Sequence, residues 1–229
     1  MTLAGLVLLA TLGWLHLLSG AGMEPMAGME GMAEAPGWAV VAAMWIAMMV
    51  AMMVPSAAPA VLLYAQVHRQ SVGAGTPPTF GFLAGYLTCW IGFSLLAATI
   101  QLAIASPMTQ ALEARTVVAA LLIAAGIYQL SPWKDACLGR CRTPAQFLSR
   151  HYRPGAVGAF RLGLLHGAFC VGCCWLLMAL LFVGGVMNLL WIAGLTLLVA
   201  AEKMLPGGHW IARLAGIALI GWGSYLLGS

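Results

Sequence analysis

Soft metal-binding side chains are concentrated in the segment from His166 to Met178. The segment reads His-Gly-Ala-Phe-Cys-Val-Gly-Cys-Cys-Trp-Leu-Leu-Met, with cysteines at Cys170, Cys173 and Cys174. At about 100° per residue on a helix, His166, Cys170 and Cys173 fall within about 60° of one another, and Cys174 and Met178 continue the same side. A thiolate in hydrocarbon is costly unless a cation compensates it. This thiol ladder predicts a metal site, against the alternative that the cysteines only pack as small apolar residues.

A second ladder consists of thioethers. Met44, Met48 and Met52 follow one another at i, i+4 and i+8, and Met49 and Met53 lie beside them on one broad helical face. Thioether sulfur suits Cu(I) far better than Mg²⁺, Ca²⁺ or Mn²⁺. Methionine also fills irregular gaps between helices, so core packing is the alternative. The residue types do not predict whether the two ladders face each other.

Two further sets of sulfur ligands lie between the apolar segments. Cys137 and Cys141 are four residues apart among basic residues, which favour thiolates. This pair would exchange metal with a cytosolic carrier, form a redox couple or close part of a structural site, but two cysteines do not complete a zinc site. A methionine at every third position among Gly, Pro and Glu predicts capture of Cu(I) or Ag(I), with a disordered spacer as the alternative. These methionines are Met23, Met26, Met29 and Met32.

Four polar residues are candidate supports for a metal site. Tyr128 and Gln129 end an apolar segment and predict hydrogen bonds between helices. Glu202 and Lys203 end another apolar segment. These two residues are predicted either to reach the lipid headgroups as an interfacial pair or to contact and orient the side chains that bind the metal.

The composition requires apolar helices to position these residues. Of 229 residues, 62% are hydrophobic and 7% charged, against about 45–50% and about 25% in soluble domains. That balance excludes a water-soluble globule. Apolar runs close to the roughly 20 residues that cross a bilayer predict an all-α fold, one polytopic transmembrane bundle of about seven helices over residues 1–229. The runs are 3–19, 38–66, 80–104, 115–132, 157–184, 187–203 and 209–227.

The first apolar run is a candidate signal peptide, whose removal would leave six helices. No Lys or Arg precedes it, so we expect an uncleaved helix. Five of the ten Lys and Arg lie between residues 133 and 156, which is typical of a cytoplasmic loop at anionic headgroups and not of nucleic-acid binding. This orientation predicts a cytoplasmic N-terminus, an external C-terminus and an external Met-rich loop at residues 20–37.

Four ordered motifs resemble one family of bacterial membrane proteins, catalogued as domain of unknown function 2182 and labelled as predicted metal-binding. The similarity covers roughly residues 40–205 and implies fold and membrane location more strongly than function. The motifs are Met44-Trp45 to Met48-Met49 with Met52-Met53 and Pro55-Ser56, then Tyr128 to Pro132 with Lys134 and Cys137 to Arg142, then Gly167, Cys170, Gly172 to Trp175 and Met178, and last Glu202-Lys203.

The ladders favour a metal-binding protein of the bacterial inner membrane that handles copper, with zinc as the less favoured metal. In this hypothesis the external Met loop collects Cu(I), the thioether ladder guides it and the thiol ladder holds it. The expected partners are the lipid bilayer, the metal ion, and a metal carrier or another membrane subunit. One alternative is a membrane oxidoreductase that depends on a metal or on thiols, and another is a structural or assembly subunit. No phosphate-binding glycine loop or Ser-His-Asp constellation supports hydrolysis or phosphoryl transfer.

Overall fold

The computed structural model describes residues 2–19, 37–72, 78–104, 114–186 and 188–228, and these residues form helices and no β-strand. The predicted all-α fold is therefore confirmed. The Met-rich segment, including Met23, Met26, Met29 and Met32, lies outside the described residues. The helices are α1 (Thr2–Leu18), α2 (Trp38–Val72), α3 (Thr79–Ile104), α4 (Ala114–Gln129), α5 (Pro132–Arg142), α6 (Pro144–His151), α7 (Ala156–Ala179), α8 (Leu181–Gly184), α9 (Leu189–Met204) and α10 (Gly208–Gly228).

Four helical segments among the described residues are long and apolar enough to cross a bilayer: α2, α3, α7 continued by α8, and α10. A fifth crossing exists if α4 and α5, which meet at a bend of 63°, count as one broken span. Helices α1 and α9 contain only 17 and 16 residues, which is short of the roughly 20 residues that a bilayer requires. Each of the seven predicted runs thus forms a helix, but four or five qualify by length instead of about seven.

The basic segment at residues 133–156, predicted to be a loop, contains the helices α5 and α6. Ser131 caps α5, because its Oγ accepts a hydrogen bond from the Lys134 backbone N–H at 3.2 Å, and Pro132 occupies the first turn. Phe147 and Leu148 of α6 are buried. Both short helices pack onto the long ones, α5 against α7 and α6 against α2. The basic segment therefore forms part of the bundle's core.

Helix α3 packs against both α2 and α7, and it approaches α7 closely through glycines. A Cβ atom added at Gly85 would lie 2.1 Å from the carbonyl oxygen of Phe160, and one added at Gly163 would lie 1.9 Å from that of Phe82. Hydrogen in place of a side chain lets the two backbones meet. Because α2 and α7 carry the two sulfur ladders, α3 positions each ladder relative to the other.

We expect Gly85→Ala to destabilise the protein, because its new methyl group meets a helix backbone that cannot rotate away. Overpacking of this kind costs about 1–3 kcal/mol or more. Gly92→Ala on the same helix is the matched control, since no atom lies within 4 Å of a Cβ built there. Thermal unfolding of the purified proteins in one detergent measures the difference. Equal melting temperatures for the two variants would contradict the close approach.

Candidate metal centre

The nitrogen and sulfur atoms of the predicted thiol ladder lie inside the bundle. His166, Cys170, Cys173 and Cys174 are each at most 4% exposed. The Sγ atoms of Cys173 and Cys174 donate hydrogen bonds to the Cys170 carbonyl oxygen at 3.1 and 3.0 Å. All six cysteines of the chain are free thiols. Helix α7 thus presents three buried thiols within one turn.

Cys141 of α5 joins the thiols of α7. Its thiol interacts with the thiols of both Cys170 and Cys173, because α5 packs along α7. Cys137 lies one turn earlier, beside Gly172, where an added Cβ would be 3.0 Å from the Cys137 Sγ atom. The two cysteines of the predicted pair thus differ in their surroundings: Cys141 interacts with two α7 thiols through hydrogen bonding and charge, whereas Cys137 lies against Gly172 and interacts with Cys173 by charge alone. We call the four interacting residues the thiol cluster: Cys141, Cys170, Cys173 and Cys174.

Cys170 is where side chains from several helices converge. The Lys203 Nζ atom of α9 donates to the Cys170 Sγ atom at 2.9 Å and to the Ser56 Oγ atom at 3.4 Å. The Tyr86 hydroxyl of α3 lies 3.1 Å from the same sulfur and donates to the Met53 carbonyl oxygen at 3.0 Å. An ammonium at this distance compensates negative charge on sulfur. Lys203 is thus a direct neighbour of the thiols.

The thioether ladder of α2 is buried along its whole length. The exposed fractions are 5% for Met44, 1% for Met52 and 0% for Met48, Met49 and Met53, and Met178 of α7 is also fully buried. The two ladders meet near one end, where Tyr86 links the Met53 carbonyl to Cys170. A sulfur-lined route for a metal ion would need such continuous burial. Methionines that only fill the core would be buried in the same way.

A cavity of about 220 Å³ borders the thiol cluster, and its lining includes Cys141, His166, Lys203 and Ser56. The His166 Nδ1 atom has no hydrogen-bond partner, although this side chain is 96% buried. A buried ring nitrogen without a partner is costly, so a water molecule or another ligand is expected to satisfy it. Thiols, thioethers and imidazole are a donor set that fits soft Cu(I).

The present arrangement is not a closed coordination sphere. Within the described ranges, no three His, Cys, Asp or Glu side chains are arranged to hold a single metal ion. The Cys173 and Cys174 thiols instead donate to the helix backbone. A bound ion would therefore require these side chains to rotate away from the Cys170 carbonyl.

The remaining predicted support residues hold the helices around the cluster. Glu202 accepts a hydrogen bond from the Lys134 Nζ atom at 2.6 Å and another from the Gln129 Nε2 atom at 2.7 Å. The Tyr128 hydroxyl donates to the Gly172 carbonyl oxygen. Glu202 thus faces α4 and α5, whereas its neighbour Lys203 faces the thiols. These contacts tie α5, which carries Cys141, and α4 to α9, and they tie α4 to α7.

Sequence reasoning missed Tyr86 and the role of Lys134. The signal for Tyr86 was a phenol hydroxyl within an apolar run, where a polar group normally finds an intramolecular partner. Lys134 belongs to one of the quoted motifs, but its position among other basic residues suggested a solvated loop. It is instead fully buried. A lysine that is removed from water requires a carboxylate, and Glu202 is that partner.

A family model described as PpoB2, copper chaperone, matches residues 42–226. The matched region extends from α2 to α10 and contains both sulfur ladders, Cys137, Cys141 and the four predicted support residues. The match confirms the predicted association with copper at the level of the family, while the label domain of unknown function 2182 stays a prediction. No curated protein and no solved structure matches the chain. Because the model covers most of its length, the chain belongs to the PpoB2 family of copper chaperones.

Proposed function

We propose that this protein is a membrane-embedded chaperone that binds Cu(I) as cargo on the thiol cluster and passes it on by ligand exchange. One observation carries the proposal: three buried thiols of α7 lie beside a cation, since the Lys203 Nζ atom is 2.9 Å from the Cys170 sulfur. Cys141 of α5 interacts electrostatically with two of these thiols, those of Cys170 and Cys173. Soft sulfur ligands select Cu(I) over hard cations. The family description supports copper as the cargo.

Lys203 supplies the charge balance that a buried copper site requires. Two thiolates and one Cu(I) carry one net negative charge, which is costly to bury in an apolar interior. The Lys203 ammonium, 2.9 Å from the Cys170 sulfur, makes the assembly neutral. The ion pairs found in the described ranges join Lys134 to Glu202 and Arg213 to Asp135, and none involves Lys203. Its charge is therefore available to the loaded thiols.

The buried methionines extend the proposed route away from the thiol cluster. Thioethers are neutral and soft, so they can bind Cu(I) without adding negative charge inside the bundle. The face that Met44, Met48 and Met52 share with Met49 and Met53 leads along α2 to the Tyr86 contact at Cys170. We propose that the Met-rich segment at residues 20–37 supplies the entrance to this route.

The proposed location is the bacterial inner membrane, with the N-terminus in the cytoplasm and the C-terminus outside, an orientation in which the short helices α1 and α9 also cross the bilayer. Helices of spanning length support the membrane location. The basic residues at 133–156 support the orientation, because positive charge favours the cytoplasmic side. In this orientation the basic segment that contains α5 is cytoplasmic, and the Met-rich segment is proposed to be external.

Copper content of the full-length purified protein tests the proposal. We expect anaerobic loading with Cu(I), followed by removal of excess metal, to leave about one copper ion per chain, because a two-sulfur or three-sulfur site suits this ion. A variant in which all four cysteines of the thiol cluster are replaced by serine should lose that copper. Elemental analysis measures the metal, and circular dichroism with size-exclusion chromatography checks that each variant remains folded.

Cys89→Ser is the matched control, because the Cys89 thiol donates to the Leu164 carbonyl at 3.3 Å and is not a member of the thiol cluster. It should retain full copper. Copper retained by the folded four-cysteine variant would show that the cluster is not the site. Wild-type protein that binds no copper above background would refute the function, and preferential retention of zinc in a mixed loading would refute the choice of metal.

A further inference from the structure

The cavity beside the thiol cluster has a cationic wall. Arg142 and Lys203 both line it, and no acidic residue is among the residues that form its lining. The Arg142 Nη2 atom donates to the neutral Leu205 carbonyl at 2.8 Å, so this contact leaves its charge uncompensated. A bare Cu(I) ion that entered would meet two positive charges of its own sign. The electrostatic field of the cavity therefore favours an anion.

The cavity is also much larger than a bare ion requires. The cavity volume is about 220 Å³, whereas a cavity of about 10–15 Å³ holds one water molecule. The space therefore accommodates a small organic molecule that accompanies a metal. Cys141 lies on the wall, so an incoming complex can reach a protein thiol. His166 also lines the cavity, and its Nδ1 atom is buried without a hydrogen-bond partner.

We propose that the cavity takes Cu(I) as an anionic bis-thiolate complex of a small thiol, which Arg142 and Lys203 recognise by its negative charge. This inference rests on the proposed function, because Cu(I) must be the cargo of the thiol cluster. A bis-thiolate complex of Cu(I) carries one negative charge before any carboxylate on the thiol is counted. Guanidinium and ammonium groups bind such anions through charge-assisted hydrogen bonds.

The transfer is a ligand exchange that leaves copper as Cu(I). In the first step a bond forms between copper and the Cys141 sulfur, one bond between copper and the small thiol breaks, and the Cys141 proton passes to the departing thiolate. In the second step Cys170 replaces the remaining small thiol in the same way. Two copper–sulfur bonds form, two break and two protons move. Lys203, in contact with Cys170, neutralises the negative product.

Small thiols of similar size but different charge test the inference on the full-length protein in detergent under anaerobic conditions. The donors are Cu(I) complexes of mercaptopropionate, mercaptoethanol and cysteamine. Apart from the sulfur, these thiols carry a negative carboxylate, a neutral hydroxyl and a positive ammonium group, respectively. Each initial rate of transfer is divided by the rate to a neutral dithiol, which corrects for different copper–sulfur bond strengths. At low salt we expect the mercaptopropionate complex to react roughly tenfold faster than the cysteamine complex, a preference that added salt reduces.

Arg142→Gln should reduce this preference, and Arg142→Lys should retain most of it. Arg140→Gln is the matched control, because Arg140 lies over the Phe169 ring and does not line the cavity. It should keep the wild-type preference. Equal corrected rates for the three donors, or an unchanged preference in Arg142→Gln, would overturn the inference. If Arg142→Gln does not fold, a wild-type preference that is insensitive to salt would overturn it. Protein that takes copper from none of the donors would refute the proposed function itself.

Discussion

Cys170→Ala is expected to lower the affinity of the protein for Cu(I) by on the order of 100-fold or more. Loss of a residue that only orients a metal ligand costs about 10–100-fold, so loss of a central ligand should cost at least as much. Cys170 is central because its sulfur contacts Lys203 of α9 and Tyr86 of α3, and its thiol interacts with Cys141 of α5. Anaerobic competition against a coloured Cu(I) chelator measures the affinity.

Cys89→Ala supplies the comparison for this affinity measurement. Cys89 is partly buried on α3, and its thiol donates only to the Leu164 carbonyl among the hydrogen bonds found in the described part of the chain. Its replacement removes a thiol whose hydrogen bond goes to the backbone and whose interaction with Cys170 is electrostatic only, so affinity should stay close to the wild-type value. A folded Cys170→Ala variant with wild-type affinity would remove Cys170 from the site.

The helices and the sulfur-bearing faces could be predicted from the sequence because both depend on local regularities. Each apolar run is helical, with bounds that agree to one residue for α3 (Thr79–Ile104, predicted 80–104) and differ by six residues at the end of α2 (Trp38–Val72, predicted 38–66). The spacing of Cys170, Cys173 and Cys174 within one turn requires only helical periodicity. No knowledge of neighbouring helices is needed for either prediction.

The convergence of Cys141 with these thiols could not be predicted, because it depends on how helices pack. Basic residues usually mark a solvated loop, and the segment 133–156 has that composition. Here its single lysine, Lys134, enters the interior to pair with Glu202, and α5 packs against α7. The sequence likewise left two roles open for Lys203, since a lysine at a helix end can reach headgroups or an interior partner. The 2.9 Å contact with Cys170 indicates the interior role.

Lys134→Met is expected to lower the free energy of unfolding by about 3–5 kcal/mol, because it leaves the Glu202 carboxylate buried without its cation. The side chains of Lys134 and Glu202 are 0% and 2% exposed, and the Nζ and Oε2 atoms are 2.6 Å apart. At this degree of burial the remaining charge is removed from bulk water. Denaturant titration in a fixed detergent, followed by circular dichroism, measures the loss. Copper affinity should fall as well, since α5 carries Cys141.

Two comparisons separate a stranded charge from a general loss of packing. Arg213 and Asp135 form an exposed pair at 3.8 Å, with side chains 46% and 38% exposed, so Arg213→Met should cost at most about 1 kcal/mol. Adding Glu202→Gln to Lys134→Met removes the stranded charge. It also introduces an amide donor near the Gln129 Oε1 atom, which is buried without a partner, so the double variant should recover much of the lost stability. A double variant no more stable than Lys134→Met would show that packing, and not charge, dominates at this site.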